Sequence, residues 1–72
     1  MIINTESGSQ YILTNNDGTI EFERGFDKFV LDKMPVITFG KPLTVVGRKY
    51  DPYHKELGYP IRISTTPVVS VS

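Results

Sequence analysis

Turn-forming residues interrupt this chain at short intervals, and the segments between them alternate apolar with polar side chains, a pattern that favours many short β-strands. Ser7-Gly8-Ser9 separates Met1-Ile2-Ile3 from Gln10-Tyr11-Ile12-Leu13-Thr14. Asn15-Asn16-Asp17-Gly18 reads as a hairpin loop, because Asn, Asp and Gly tolerate the positive φ of a tight turn. In Thr19-Ile20-Glu21-Phe22-Glu23-Arg24 the alternation is cleanest: Ile20 and Phe22 share one face, and Glu21 and Glu23 share the other.

Residues 25–34 admit two readings. Phe26, Phe29, Val30 and Met34 have the spacing of a short helical turn over residues 26–33, yet the same residues suit an irregular bulged strand. Pro35 ends either one, since it disfavours helical backbone at Met34. Val36–Phe39 is expected as a strand, Gly40-Lys41-Pro42 as a turn and Leu43–Val46 as a further strand, with Gly47 marking a bulge or bend. From Arg48 to Pro60 the apolar alternation lapses, which predicts a long loop of the kind that often carries function. Ile61–Thr65 and Val68–Val71 restore strand character on either side of Thr66-Pro67.

Six or seven strands joined by hairpin-sized turns, in a chain of 72 residues, imply one mostly β domain spanning residues 1–72. A small closed or strongly curled antiparallel barrel, an SH3-like meander, is the expected architecture, because closure removes edges that would recruit other chains. So short a chain builds a thin core, and small domains compensate with disulfides, metals or partners. Without cysteine, and with one histidine, neither disulfides nor a Cys/His zinc pattern is available, so a homo-oligomer is expected. No unbroken aliphatic or aromatic run exceeds three residues, and Met1–Glu6 has no basic leader, so the expected location is intracellular and not in a membrane.

The charge sums to zero, which argues against wholesale attraction to nucleic acid or anionic lipid. Its distribution is uneven. Residues 1–36 hold six acidic and three basic side chains, residues 37–72 five basic and two acidic. Such polarity can steer an anionic ligand to one side, or favour contact between acidic and basic surfaces.

Catalytic signatures are missing: His54 is the only histidine, and no local motif supplies a nucleophile, an orienting carboxylate or an oxyanion hole around it. No glycine-rich phosphate loop or zinc-protease motif occurs, so neither an enzyme nor a cofactor or metal site is expected. The stretch richest in binding chemistry is residues 48–60, with three of the four tyrosines and three of the eight basic residues. Tyrosine gives broad contact area at low entropic cost, and arginine and lysine supply a field for phosphate or carboxylate. The candidate binding residues are therefore Arg48, Lys49, Tyr50, Tyr53, His54, Lys55 and Tyr59, extended outwards by Arg62 on the following strand. A purely structural reading stays open beside this one, in which Tyr50 and Tyr59 cap the barrel's ends while Asp51-Pro52 turns the chain.

Two patches, Thr5-x-Ser7-Gly8-Ser9-x-Tyr11 and Thr65-Thr66-Pro67-Val68-Val69, resemble small β-rich proteins of bacterial viruses, particularly those infecting actinobacteria. Pro35-Val36-Ile37 and Val45-Val46-Gly47 fall roughly where those proteins carry apolar strands and a glycine. The resemblance implies a phage genome as the source and transfers no binding residue. Together these readings point to a non-enzymatic binding protein in the cytoplasm of the host cell, engaging a host protein or a small anionic ligand and acting as a host-defence antagonist. The alternatives are a structural accessory part of a virion and, less favoured by the charge, a weak nucleic-acid-binding barrel.

Overall fold

Apolar alternation along each strand becomes a closed surface in the computed structural model, which describes all 72 residues. Six antiparallel strands follow one another round a barrel: β1 (Ile2–Thr5), β2 (Gln10–Asn16), β3 (Thr19–Arg24), β4 (Asp27–Leu31), β5 (Pro42–Asp51) and β6 (Glu56–Val71). β6 returns to pair with β1, Ile3 opposite Val71 and Asn4 opposite Ser70, which closes the ring. Alternate residues turn inwards, so Ile3, Tyr11, Leu13, Phe22, Phe29, Leu31, Leu43, Val45 and Val68 form one buried core. Tyr11 and Phe22 stack within it, ring centroids 5.0 Å apart.

The turns follow the chemistry of their residues. Asp17 and Gly18 both take positive φ, 51° and 88°, as a two-residue turn matched to strand twist requires, and the Gly18 amide donates to Asn15 Oδ1. The two buried threonines are satisfied: Thr5 Oγ1 donates to the Ser9 carbonyl, and Thr65 Oγ1 accepts from the Leu43 amide while donating to the Thr66 carbonyl.

Four local expectations are corrected. No helical turn forms over residues 26–33. Arg24 pairs with Asp27 across a two-residue Gly25-Phe26 turn, β4 runs directly on, and Phe26 is left fully exposed while only Phe29 and Leu31 of β4 enter the core. Val36–Phe39 is not a strand. It belongs to an irregular strap between β4 and β5, fastened by one parallel bridge from Phe39 to Val68, with the adjoining Gly40 amide donating to the Val68 carbonyl. Gly47 lies in regular pairing and is a site of close strand approach, the bulges falling at Pro42/Thr44 and Arg48/Tyr50 instead. Finally, residues 48–60 are not a long loop: both strands continue through them, leaving only residues 52–55 as the turn.

That last difference sets the molecule's shape. β5 and β6 run past β4 as a two-stranded arm, giving principal extents of 36 × 23 × 18 Å. No helix is long and apolar enough to cross a membrane.

Candidate binding surface

Local chemistry at the tip explains why the arm turns where it does. Asp51 Oδ1 accepts the amides of Tyr53 and His54 at 2.9 and 3.2 Å, bending the chain through Pro52, and Lys55 completes the turn with φ of 52°. Asp51 Oδ2 meets the His54 ring nitrogen Nδ1 at 2.6 Å. The His54 ring bond, and then the His54 and Tyr53 amides, hold the Asp51 carboxyl below the usual carboxylate range. Tyr50 pairs with Leu57 and Asp51 with Glu56, so the backbone ladder persists where apolar alternation has stopped.

Lower in the arm, two of the candidate residues are committed within the molecule. Lys49 Nζ lies 2.8 Å from Asp27 Oδ1 and 5.1 Å from the Phe29 ring centroid, and its hydrogen bond and charge hold the Asp27 carboxyl low. Tyr50 is half-buried beneath Lys28, whose Nζ stands 5.5 Å from the ring centroid. Lys28 is also 3.1 Å from Glu21, a bond that raises the lysine's pKa.

The rest face outwards. Arg48 is exposed and donates one guanidinium hydrogen to the Gly58 carbonyl at 2.9 Å, bracing the bulge in β6. Tyr53 at the tip is 94% exposed and Tyr59 on β6 is 65% exposed, so of the two rings expected as barrel caps, Tyr50 and Tyr59, the latter does not serve as one. Lys55 and Arg62 are exposed, and no carboxylate lies within ion-pairing distance of Arg48, Lys55 or Arg62. The structure thus divides the eight residues. Lys49 and Tyr50 brace the arm's base, His54 closes its tip, and Arg48, Tyr53, Lys55, Tyr59 and Arg62 remain available.

Sequence reasoning missed Leu57, which is exposed on this arm, and Phe26, exposed on the β3–β4 turn. Gly25 ahead of Phe26 was the signal available for the latter, since glycine supplies the positive φ, 58°, of a tight hairpin turn. Asp51, His54 and Glu56 present three potential metal-ligand atoms within 4.8 Å of one another at the exposed tip, although Asp51 and His54 already bond to each other. The surface has no cavity of ligand size.

No family model, curated protein or solved structure matches this chain.

Proposed function

We propose that this chain is a non-catalytic binding protein of the bacteriophage type, which engages a host protein in the host cytoplasm through the outer surface of the β5–β6 arm. The observation that carries this reading is that one hairpin exposes two tyrosine rings, Tyr53 and Tyr59, together with Arg48, Lys55 and Arg62, three cations with no carboxylate paired to them. Tyrosine and arginine are the side chains most enriched at binding hot spots, and here they project from a hydrogen-bonded hairpin. Holding them on paired strands lowers the ordering cost that a floppy loop would incur on binding.

A protein surface suits this arm better than a small anionic ligand does, because small ligands are held in clefts that bury most of their area and the molecule offers none. Nucleic acid is less favoured. Lys49 is neutralised by Asp27 and Lys28 by Glu21, so two cations near the arm contribute little to a phosphate-attracting field. The phage source rests on the Thr5–Tyr11 and Thr65–Val69 motifs. Antagonism of a host defence is the role that such a protein would serve.

Immobilised protein is expected to capture a partner from host lysate saturably, with retention falling as salt rises. Arg48→Ala combined with Tyr53→Ala should weaken capture by about tenfold or more while leaving the circular dichroism spectrum unchanged. Co-purification with virus particles, indifferent to the double substitution, would overturn the reading in favour of a virion part. A salt slope spanning several phosphates would overturn it in favour of nucleic acid.

A further inference from the structure

The pairing register fixes which way the backbone of β6 points. The Val46 carbonyl accepts the Asp32 amide at 3.0 Å, so at Val46 the backbone groups of β5 are turned towards β4. Antiparallel strands alternate in this respect, so Thr44 and Arg48 turn the same way, and Val45 and Gly47 turn towards β6. Val45 faces Ile63 and Gly47 faces Ile61, whereas Thr44, Val46 and Arg48 face Ser64, Arg62 and Pro60. The backbone groups of Pro60, Arg62 and Ser64 are therefore directed to the other edge of β6.

That edge is occupied only further along. β1 covers it from Val68 to Val71, the Glu6 amide reaches the Pro67 carbonyl, Ser7 hydrogen-bonds the Thr66 hydroxyl, and the chain then turns away at Gly8-Ser9. Beside Pro60, Arg62 and Ser64 no strand is paired on this side. The open edge offers the carbonyls of all three residues and the amides of Arg62 and Ser64, since proline has none. Arg62 projects there without a carboxylate partner, while Ile61 and Ile63 on the opposite face are only partly buried.

We infer that an extended acidic segment of the protein partner adds to the barrel as a strand along this edge of β6, in line with β1. The inference rests on the binding reading above and names its mode. Main-chain hydrogen bonds to Pro60, Arg62 and Ser64 supply register, and alternate side chains supply selectivity. The residue opposite Arg62 stands beside it on the outer face at about 5 Å, where an acidic side chain is favoured. Its neighbours turn to the face of Ile61 and Ile63, where an apolar side chain is favoured. A second copy adding about a two-fold centred on Arg62 would set Arg62 against Arg62, a like-charge pair that disfavours self-pairing in that register.

The test uses a blocked peptide of alternating glutamate and valine, with a lysine and valine peptide as control, followed by amide NMR and hydrogen exchange. The glutamate peptide should shift the Arg62 and Ser64 amides saturably and slow their exchange. Arg62→Glu should weaken it by about tenfold and transfer the preference to the lysine peptide. Ser64→Pro removes an outward amide at a position where an edge strand tolerates proline, and should abolish the slowed exchange at Arg62. Unchanged peptide binding in both variants, or no saturable shift, would overturn strand addition. Arg62 and Ser64 amides already protected in free protein that sediments as a dimer would assign the edge to a second copy. Lysate capture that needs Arg48 and Tyr53 but survives Ser64→Pro would keep the arm as the binding surface and remove strand addition alone.

Discussion

Gly47 sits on β5 opposite Leu31 of β4, where a Cβ would lie 2.1 Å from the Val30 carbonyl oxygen and 2.7 Å from the Leu31 Cα. Both obstacles are backbone, so no side-chain rotation relieves them. β4 joins β5 through only three residue pairs, Phe29 with Lys49, Val30 with Arg48 and Leu31 with Gly47. A methyl group at the last of these must push the strands apart at the junction between the barrel's two halves. Gly47→Ala is expected to cost on the order of 3 kcal/mol, a large share of the stability of so small a domain. Gly58→Ala, whose Cβ would approach the Lys49 carbonyl at 3.3 Å, should cost markedly less. Urea denaturation of the two variants checks this, and equal midpoints would show that β4 and β5 can separate freely. The sequence marked Gly47 as special, but a bulge, a bend and a close approach all call for glycine, and only the neighbouring strand distinguishes them.

At the scale of elements, β3 was legible because both faces of the strand report on it: Phe22 is buried while Glu21 and Glu23 flank it on the outer face. The β5–β6 arm was hidden for the opposite reason. Alternation is imposed by a core, and the arm reaches past the core, so Tyr50 to Leu57 pair through backbone while their side chains follow no apolar rhythm. Helical spacing at Phe26, Phe29, Val30 and Met34 misled because Phe26 and Met34 are exposed and lie outside the core. At the candidate site, the tyrosines and arginines were visible as residue types, whereas the capture of Lys49 by Asp27 depends on strands β4 and β5 meeting. Two stabilised carboxylates, Asp51 on the arm and Asp27 on the neighbouring β4, give an acid dependence. Asp51 is held low by His54, and Asp27 by Lys49, so each ionised form favours the folded state. That stabilisation is present above the unfolded carboxylate pKa of about 3.9 and is lost as pH falls through it towards the lowered folded value. Amide exchange at Tyr53 and His54 should accelerate over that acid range. Asp51→Asn should abolish this change at the tip, while the Asp27–Lys49 bridge keeps its own titration. An acid response at the tip that persists in Asp51→Asn would remove Asp51 as its source.

The whole molecule depends on a seam between its ends. The Ile2 amide donates to the Ser72 carbonyl at 2.7 Å and the Ser72 amide to the Ile2 carbonyl at 2.9 Å, while Asn4 Nδ2 reaches Ser70 Oγ. At the far end of the seam, the Ser7 amide donates to Thr66 Oγ1 and the Thr66 hydroxyl to Ser7 Oγ. The Thr5–Tyr11 and Thr65–Val69 patches therefore meet, and their serines and threonines have a structural reason to be there. Charge is also redistributed by closure, since the Asp27–Lys49 bridge joins the acidic first half to the basic second half and consumes part of the polarity visible in the sequence. Seam closure brings together residues nearly the full chain length apart, so its loop entropy is the largest the chain must overcome, and the barrel is expected to open there first. Removing residues 70–72 deletes the pairing of Ile3 with Val71 and of Asn4 with Ser70, leaving β1 held by β2 and by the contact of Thr5 with Val68. In the shortened chain the Leu13 amide, which donates to the Met1 carbonyl, should exchange about tenfold faster or more while the amides of β3 and β4 hold, a local opening worth about 1.4 kcal/mol or above. If exchange instead accelerated equally in every strand, the barrel would open as one unit and the seam would have no separate stability.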